Sequence, residues 1–166
     1  MLRDDNEGKL YAKKRLITES LVKLFGVGYA SDSSQKLTNY LIQKNYKTDH
    51  LIRSGLSVKK EGSTIVQDKF KNRLIFSIFD QKGKCVGFSG RYIGPEKKDF
   101  APPKYLNSPE TTLFLQSKIL FGLYQAQQSI REFKFAILTE GQMNILSSHR
   151  AGVPNIVASL GTSFTE

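Results

Sequence analysis

The sequence predicts an α+β fold: a helical first third, a β-hairpin middle and a closing β-α-β unit. Three observations predict it. Apolar residues recur at helical spacing up to about residue 55. From about residue 56 they fall in short strand-like runs separated by Gly and polar turn residues. After residue 133 two near-continuous apolar runs flank a stretch long enough for a parallel crossover.

Taken in order, "EGKLYAKKRL" and "TESLVKLFGV" are short amphipathic helices, with Thr18 placed to cap the second and Gly26 to stop it. "SQKLTNYLIQKN" brings Leu37, Tyr40 and Leu41 onto one helical face, and "TDHLIRSGL" ends on Gly55. "LSVKKEGSTIV" predicts a hairpin turning at Glu61-Gly62. A longer hairpin pairs Arg73 to Phe79 with Cys85 to Ile93 through "DQKGK", and Gly87 and Gly90 mark a bulge or a close backbone approach. "GPEKKDFAPPKYLNSPETT" reads as a polar, Pro-rich loop, and "LFGLYQAQQSIREF" as a helix. Strand, helix and strand follow in "FKFAILTE", "GQMNILSSHRAG" and "VPNIVASLG", the strands apolar enough for a parallel sheet covered on both faces. One such unit is not a stable end point, so the expectation is that the sheet continues beyond Glu166.

Composition narrows the partners. The 166 residues, 39% hydrophobic and 11% aromatic, suffice for one compact domain or a domain plus part of a second. A formal net charge of +10 favours a polyanion, nucleic acid or an anionic membrane surface. Cys85 is the only cysteine, which excludes an intramolecular disulfide and any multi-cysteine zinc site in this chain. No apolar run approaches the roughly 20 residues of a membrane span. The opening residues "MLRDDNEGKLYAKK" are too polar for a signal peptide, so the expected location is cytoplasmic, with no membrane partner.

Two constellations carry chemistry. Glu140 ends the first strand of the β-α-β unit, beside the next helix, and Gly141, Gly161 and Thr162 stand at the same carboxyl edge. Ligands of open α/β sheets gather there. An acid at that position can hold Mg²⁺ or serve as a base near a phosphate. It can equally do no more than complement the helix dipole, worth about 0.3–1 kcal/mol. Phosphoryl-transfer metal sites need at least two carboxylates, and no Asp-x-Asp pair occurs in the chain. The second constellation spans Lys82 to Lys104, where six basic residues stand against two acidic ones, interleaved with Phe88, Tyr92 and Phe100. Cations that track phosphates and rings that stack on bases suit single-stranded nucleic acid. A solvated sheet face with core aromatics would give the same pattern.

Longer strings carry a resemblance. "RLIFSIFDQKGKCVGFSGR", "PKYLNSPET", "LFGLYQAQQ", "TEGQMNIL" and "VASLGTS" together resemble the catalytic core of bacterial DnaG-type DNA primases. "YAKKRLITESLVKLFGVGYA" is similar to the start of that core. The resemblance implies a basic N-terminal subdomain over 1–132, helices and β-hairpins that bind single-stranded DNA. Over 133–166 it implies the first β-α-β unit of an incomplete Toprim α/β sheet. It implies primer synthesis in DNA replication, by metal-dependent nucleotidyl transfer from ribonucleoside triphosphates onto an RNA primer along a single-stranded DNA template. Glu140 would be the Toprim glutamate, catalytic or metal-bound, with Mg²⁺ or Mn²⁺ as cofactor of the complete enzyme. Arg73, Arg91, Lys104, Tyr105 and Asn107 would line the basic groove, with Lys118 nearby and Arg15 a peripheral template contact. The replicative helicase would be met through a domain that this chain does not contain.

The chain departs from that pattern at four places. Gln142 and Asn144 stand where the family writes Tyr and Asp, Gln116 where it commonly has Lys, and Leu16 where it has Gly. Asn144 and the missing Asp-x-Asp leave Glu140 without partner carboxylates, so these residues alone are expected to bind single-stranded DNA without making primers. The other reading is a non-catalytic nucleic-acid-binding module derived from a primase. "PKYLNSPET" argues against a different Toprim enzyme, such as a topoisomerase.

Overall fold

The computed structural model describes residues 6–95 and 102–161. Helix α1 (Asn6–Lys14) leads to α2 (Glu19–Leu24), where the Thr18 side chain accepts from the Leu21 amide at 3.4 Å, as its sequence position predicts. Gly26 (φ +55°) ends that helix in the left-handed region, where glycine carries little strain. The chain then enters β1 (Gly28–Ala30), a strand too short to leave a sequence signal.

Helices α3 (Lys36–Gln43) and α4 (Thr48–Arg53) form a small unit with the hairpin β2 (Ser57–Lys59) and β3 (Val66–Asp68). Its lock is Asp68, 5% exposed, which lies in β3 yet caps α3. One carboxylate oxygen accepts from the Thr38 amide at 2.8 Å and its hydroxyl at 2.6 Å, the other from the Leu37 amide at 2.9 Å.

The long hairpin is β4 (Arg73–Phe79) and β5 (Cys85–Tyr92), flanked by β1 and by β6 (Tyr105–Asn107) in an antiparallel sheet of order β1-β4-β5-β6. β6 lies inside the stretch that the sequence presents as loop. It is three residues long and takes its ladder from β5, a partner invisible to local pattern. The expected bulge is present: Phe79 pairs with Cys85 but Ile78 with Gly87. Gly90 supplies the close approach, since a Cβ there would stand 2.8 Å from the Phe70 ring and 2.9 Å from Arg73 Cδ.

A 3₁₀ turn (Gln116–Lys118) precedes α5 (Leu123–Phe133), β7 (Ile137–Thr139), α6 (Gln142–Arg150) and β8 (Ile156–Ala158). β7 and β8 are parallel, as the apolar runs predict. Only β8 is covered. It is buried throughout and bridged on its far side by Phe121, whose amide and carbonyl bond those of Ala158 at 2.8 and 3.0 Å. β7 exposes Ile137 (38%) and Leu138 (52%), because among the described residues nothing packs outside it. A single core joins the four-stranded sheet to the β7–β8 pair. Phe76 meets Phe121 edge-on, Phe121 stacks on Phe25, and Phe25 receives the His149 ring edge. That core crosses the 132/133 boundary drawn from sequence. Among the described residues no helix is long and apolar enough to cross a membrane.

Candidate active edge and nucleic-acid groove

Alternation along β5 decides what faces what. Register pairs Ser89 with Asn107 and Arg91 with Tyr105, so these four side chains share the sheet face that also carries core residues Leu74 and Phe76. The β-α-β unit docks against this face. Gln142, in the first turn of α6, donates its side-chain amide to Ser89 Oγ at 3.0 Å in a buried contact. Asn107 Nδ2 and Gln116 Nε2 both donate to the Leu160 carbonyl, at 2.8 and 2.9 Å. The carboxyl ends of β7 and β8 are thereby fixed to the four-stranded sheet. Gln116, where the resemblance expects a phosphate-binding lysine, is part of that clamp.

Glu140 is held at this junction, between β7 and α6, and is exposed. Gly141 is the N-cap residue of α6 and makes no side-chain cap. Asn144, itself exposed, donates its amide to the Thr139 hydroxyl at 3.0 Å. Gly161 adopts φ +90° just after the clamp, and Thr162 lies outside the described residues. No group of three or more His, Cys, Asp or Glu side chains that could hold a metal occurs among the described residues. Mg²⁺ and Mn²⁺ take several oxygen ligands, so one carboxylate beside an asparagine does not make their site.

Two residues beyond Ser89 along β5, on the same face, lies a cationic cluster. Arg91 donates from Nη1 to the Tyr105 hydroxyl and from Nε to the Tyr11 hydroxyl, both at 2.7 Å. Arg15 Nε donates to the same Tyr11 hydroxyl at 3.2 Å. Each guanidinium also lies over a ring, Arg15 over Tyr11 at 5.5 Å and Arg91 over Tyr105 at 5.4 Å. Burial works against the Arg91 charge, but the hydroxyls of Tyr105 and Tyr11 more than offset it and raise its pKa above the ordinary value. Tyr11 was missed in the sequence, although it stands four residues before Arg15 on a helix, the spacing at which side chains meet. Leu16, in place of the family's glycine, takes a left-handed φ of +56° and so keeps the turn that ends α1.

Arg73 and Lys118, both expected to meet nucleic acid or nucleotide, stand apart from the Arg91 cluster. Arg73 pairs with Tyr92 and therefore occupies the opposite sheet face from Arg91. It is 4% exposed, with Nη1 donating to the carbonyls of Gly90 and Pro103 at 2.9 Å each and its guanidinium over the Tyr92 ring. Burial lowers its pKa. Arg73 braces the segment leading into β6, on the sheet face opposite Arg91. Lys118, with Lys82 and Lys84, borders an open cleft of about 640 Å³ beside the β4–β5 turn. Cys85 of that cleft is six residues from Arg91, roughly 20 Å along a strand. Lys104 is exposed just before β6, and its carbonyl accepts from the Tyr92 amide at 2.9 Å. Phe88 and Tyr92 pair with Ser77 and Arg73, so they too face away from Arg91. Phe100 lies outside the described residues.

Known proteins share this fold. The chain is 40% identical to a DNA primase of Halalkalibacterium halodurans over 167 aligned residues, matching all of this chain and 27% of that protein. It spans about a quarter of the curated relatives it matches. Among solved structures it is similar to the RNA polymerase domain of Mycobacterium tuberculosis primase DnaG in complex with a double-stranded DNA oligomer bearing a 6-nucleotide overhang. The TM-score is 0.86 at 31% identity, over 99% of this chain and 50% of that one. It is also similar to a DnaG primase catalytic domain bound to single-stranded DNA, with a TM-score of 0.81 at 33% identity, over 96% and 48% of the two chains. The family model described as DNA primase catalytic core, N-terminal domain, matches residues 2–127, and the chain belongs to that family.

Proposed function

We propose that this chain supplies the template groove and one acidic corner of a DNA primase that makes short RNA primers on single-stranded DNA from ribonucleoside triphosphates. In that reaction a primer 3′-hydroxyl bonds to the α-phosphorus of a nucleotide and pyrophosphate leaves. The Arg15–Tyr11–Arg91–Tyr105 cluster carries the reading, because it holds two cations and two phenols together on the face that also receives the β-α-β unit. Its two arginines grip the template backbone. Glu140 serves at the reacting end as the Toprim glutamate, and the β7–α6–β8 unit is the start of that domain. Lys104 and Asn107 belong to the same groove, Asn107 by fixing the Leu160 carbonyl. Divalent ions need carboxylates in addition to Glu140, so these 166 residues bind a template without extending a primer. The helicase and a cytoplasmic site of action belong to the whole primase.

The test is fluorescence anisotropy with a labelled single-stranded DNA oligonucleotide across a salt series. Binding should weaken steeply with salt, and Arg91→Ala should flatten the log–log slope by about one. Salt-insensitive binding, or none, would remove the groove. The non-catalytic module is the second reading, favoured by Asn144 beside a lone Glu140. It is excluded if the parent reading frame runs on into a strand ending in paired aspartates.

A further inference from the structure

The Tyr11 hydroxyl receives two hydrogen bonds from charged donors, Arg91 Nε at 2.7 Å and Arg15 Nε at 3.2 Å. A phenol oxygen has two lone pairs and one hydrogen. Both lone pairs are occupied here, so the hydrogen must be donated. Among the described residues nothing accepts it. Tyr105 accepts one bond, from Arg91 Nη1 at 2.7 Å, and keeps one lone pair and its hydrogen. The guanidinia have no acceptor atoms, and the single ion pair among the described residues, Arg53 with Asp49, involves neither. Apart from one lone pair of Tyr105, the cluster therefore presents donors, with two positive charges and, among the described residues, no ion-paired carboxylate.

Such a surface selects its ligand by chemistry. A base edge offers donors as well as acceptors, whereas a phosphodiester offers acceptor oxygens and negative charge. We infer that Tyr11 is a further strand-contacting residue, donating its hydroxyl hydrogen to a phosphodiester oxygen while its lone pairs hold Arg15 and Arg91 in place. The inference rests on the proposed groove and adds a residue to it. Tyr11 suits both tasks because its ring is half-buried on α1 under the Arg15 guanidinium and only its hydroxyl reaches Arg91. Without the hydroxyl, Arg15 and Arg91 lose the atom to which both donate.

The experiment uses the full chain, the same labelled single-stranded oligonucleotide, and the variants Tyr11→Phe, Arg15→Ala, Arg91→Ala and Tyr11→Phe/Arg15→Ala. Circular dichroism follows folding under the binding conditions. Phenylalanine keeps the ring, so the melting temperature should stay close to that of the parent chain. Affinity should fall about tenfold, as for loss of a hydrogen bond to a charged group. The double variant should lose less than the product of the two single losses, because Arg15 is already released when the hydroxyl is gone. Full affinity in Tyr11→Phe, with Arg91→Ala weakened, would overturn the inference and leave the groove standing. Strictly multiplicative losses would overturn the holding role. Full affinity in Arg91→Ala as well would bring down the groove, and Tyr11 with it.

Discussion

Arg73 and Arg91 stand on opposite faces of the four-stranded sheet, and one residue of bulge separates them. Phe79 pairs with Cys85. Six residues further along each strand, an unbroken ladder would set Arg73 opposite Arg91. The shift between Ile78 and Phe79 sets Arg73 opposite Tyr92 instead, and a one-residue shift exchanges the faces. The two arginines of one family signature therefore meet different surroundings.

That separation predicts different responses to mutation. Arg91→Ala should weaken DNA binding and flatten its salt dependence by about one, with little change in unfolding. Arg73→Ala should leave the Gly90 and Pro103 carbonyls without their donor and open a gap beside Phe70 and Tyr92. We expect a loss of about 1–3 kcal/mol in urea unfolding, with the salt slope unchanged. A flattened salt slope in Arg73→Ala at normal stability would put that guanidinium on the DNA.

Gln142 and Ser89 hold the β-α-β unit to the sheet through a buried 3.0 Å hydrogen bond. Ser89→Ala should strand the glutamine amide and cost about 1–3 kcal/mol by denaturant titration. Replacing both partners, as in Ser89→Ala/Gln142→Leu, should recover part of that loss, because no polar group is then left unpaired. A double variant no more stable than Ser89→Ala would show that the hydrogen bond is not what the site requires.

How far the sequence reveals such contacts depends on their range. The β4–β5 hairpin was legible because both strands are long and the "DQKGK" turn lies between them. The helix ends at Thr18, Gly26 and Gly55 were legible because caps and stops are local. β1 and β6, three residues each, were not, since their ladders come from β4 and β5. At the candidate site, strand alternation alone could not assign Arg73 and Arg91 to faces. It requires the bulge to be located, and glycines at 87 and 90 allow more than one place for it. Glu140 was found because strand ends can be read from an apolar run. Tyr11 was not, because its use depends on an arginine 80 residues away.

Asp68 is another contact of that long-range kind, reaching from β3 to the first turn of α3. Its carboxylate serves the Leu37 and Thr38 amides and the Thr38 hydroxyl, which also bonds Ser57 at 2.8 Å. Asp68→Ala should cost about 1–3 kcal/mol, with Asp68→Asn intermediate because one acceptor oxygen remains. Amide exchange at Leu37 and Thr38 should rise first. Unchanged protection of both amides in Asp68→Ala would mean that α3 is capped by something else.

His149 makes stability depend on pH. Its ring stands edge-on to Phe25, centroids 4.9 Å apart at 90°, and its Nε2 is buried with no hydrogen-bond partner among the described residues. Burial lowers its pKa from the ordinary 6.5, although it lies in the last turn of α6, where the helix dipole favours a cation. The folded state thus resists a proton that the unfolded chain accepts, and stability falls as the pH drops below 6.5 toward the folded-state pKa. Carboxylates also titrate as the pH approaches 5, so the measurement is a difference between proteins. Between pH 7.5 and 5.0 the urea midpoint of the parent chain should fall further than that of His149→Gln, which cannot titrate there. Equal falls in both proteins would show that the imidazole keeps its ordinary pKa against Phe25.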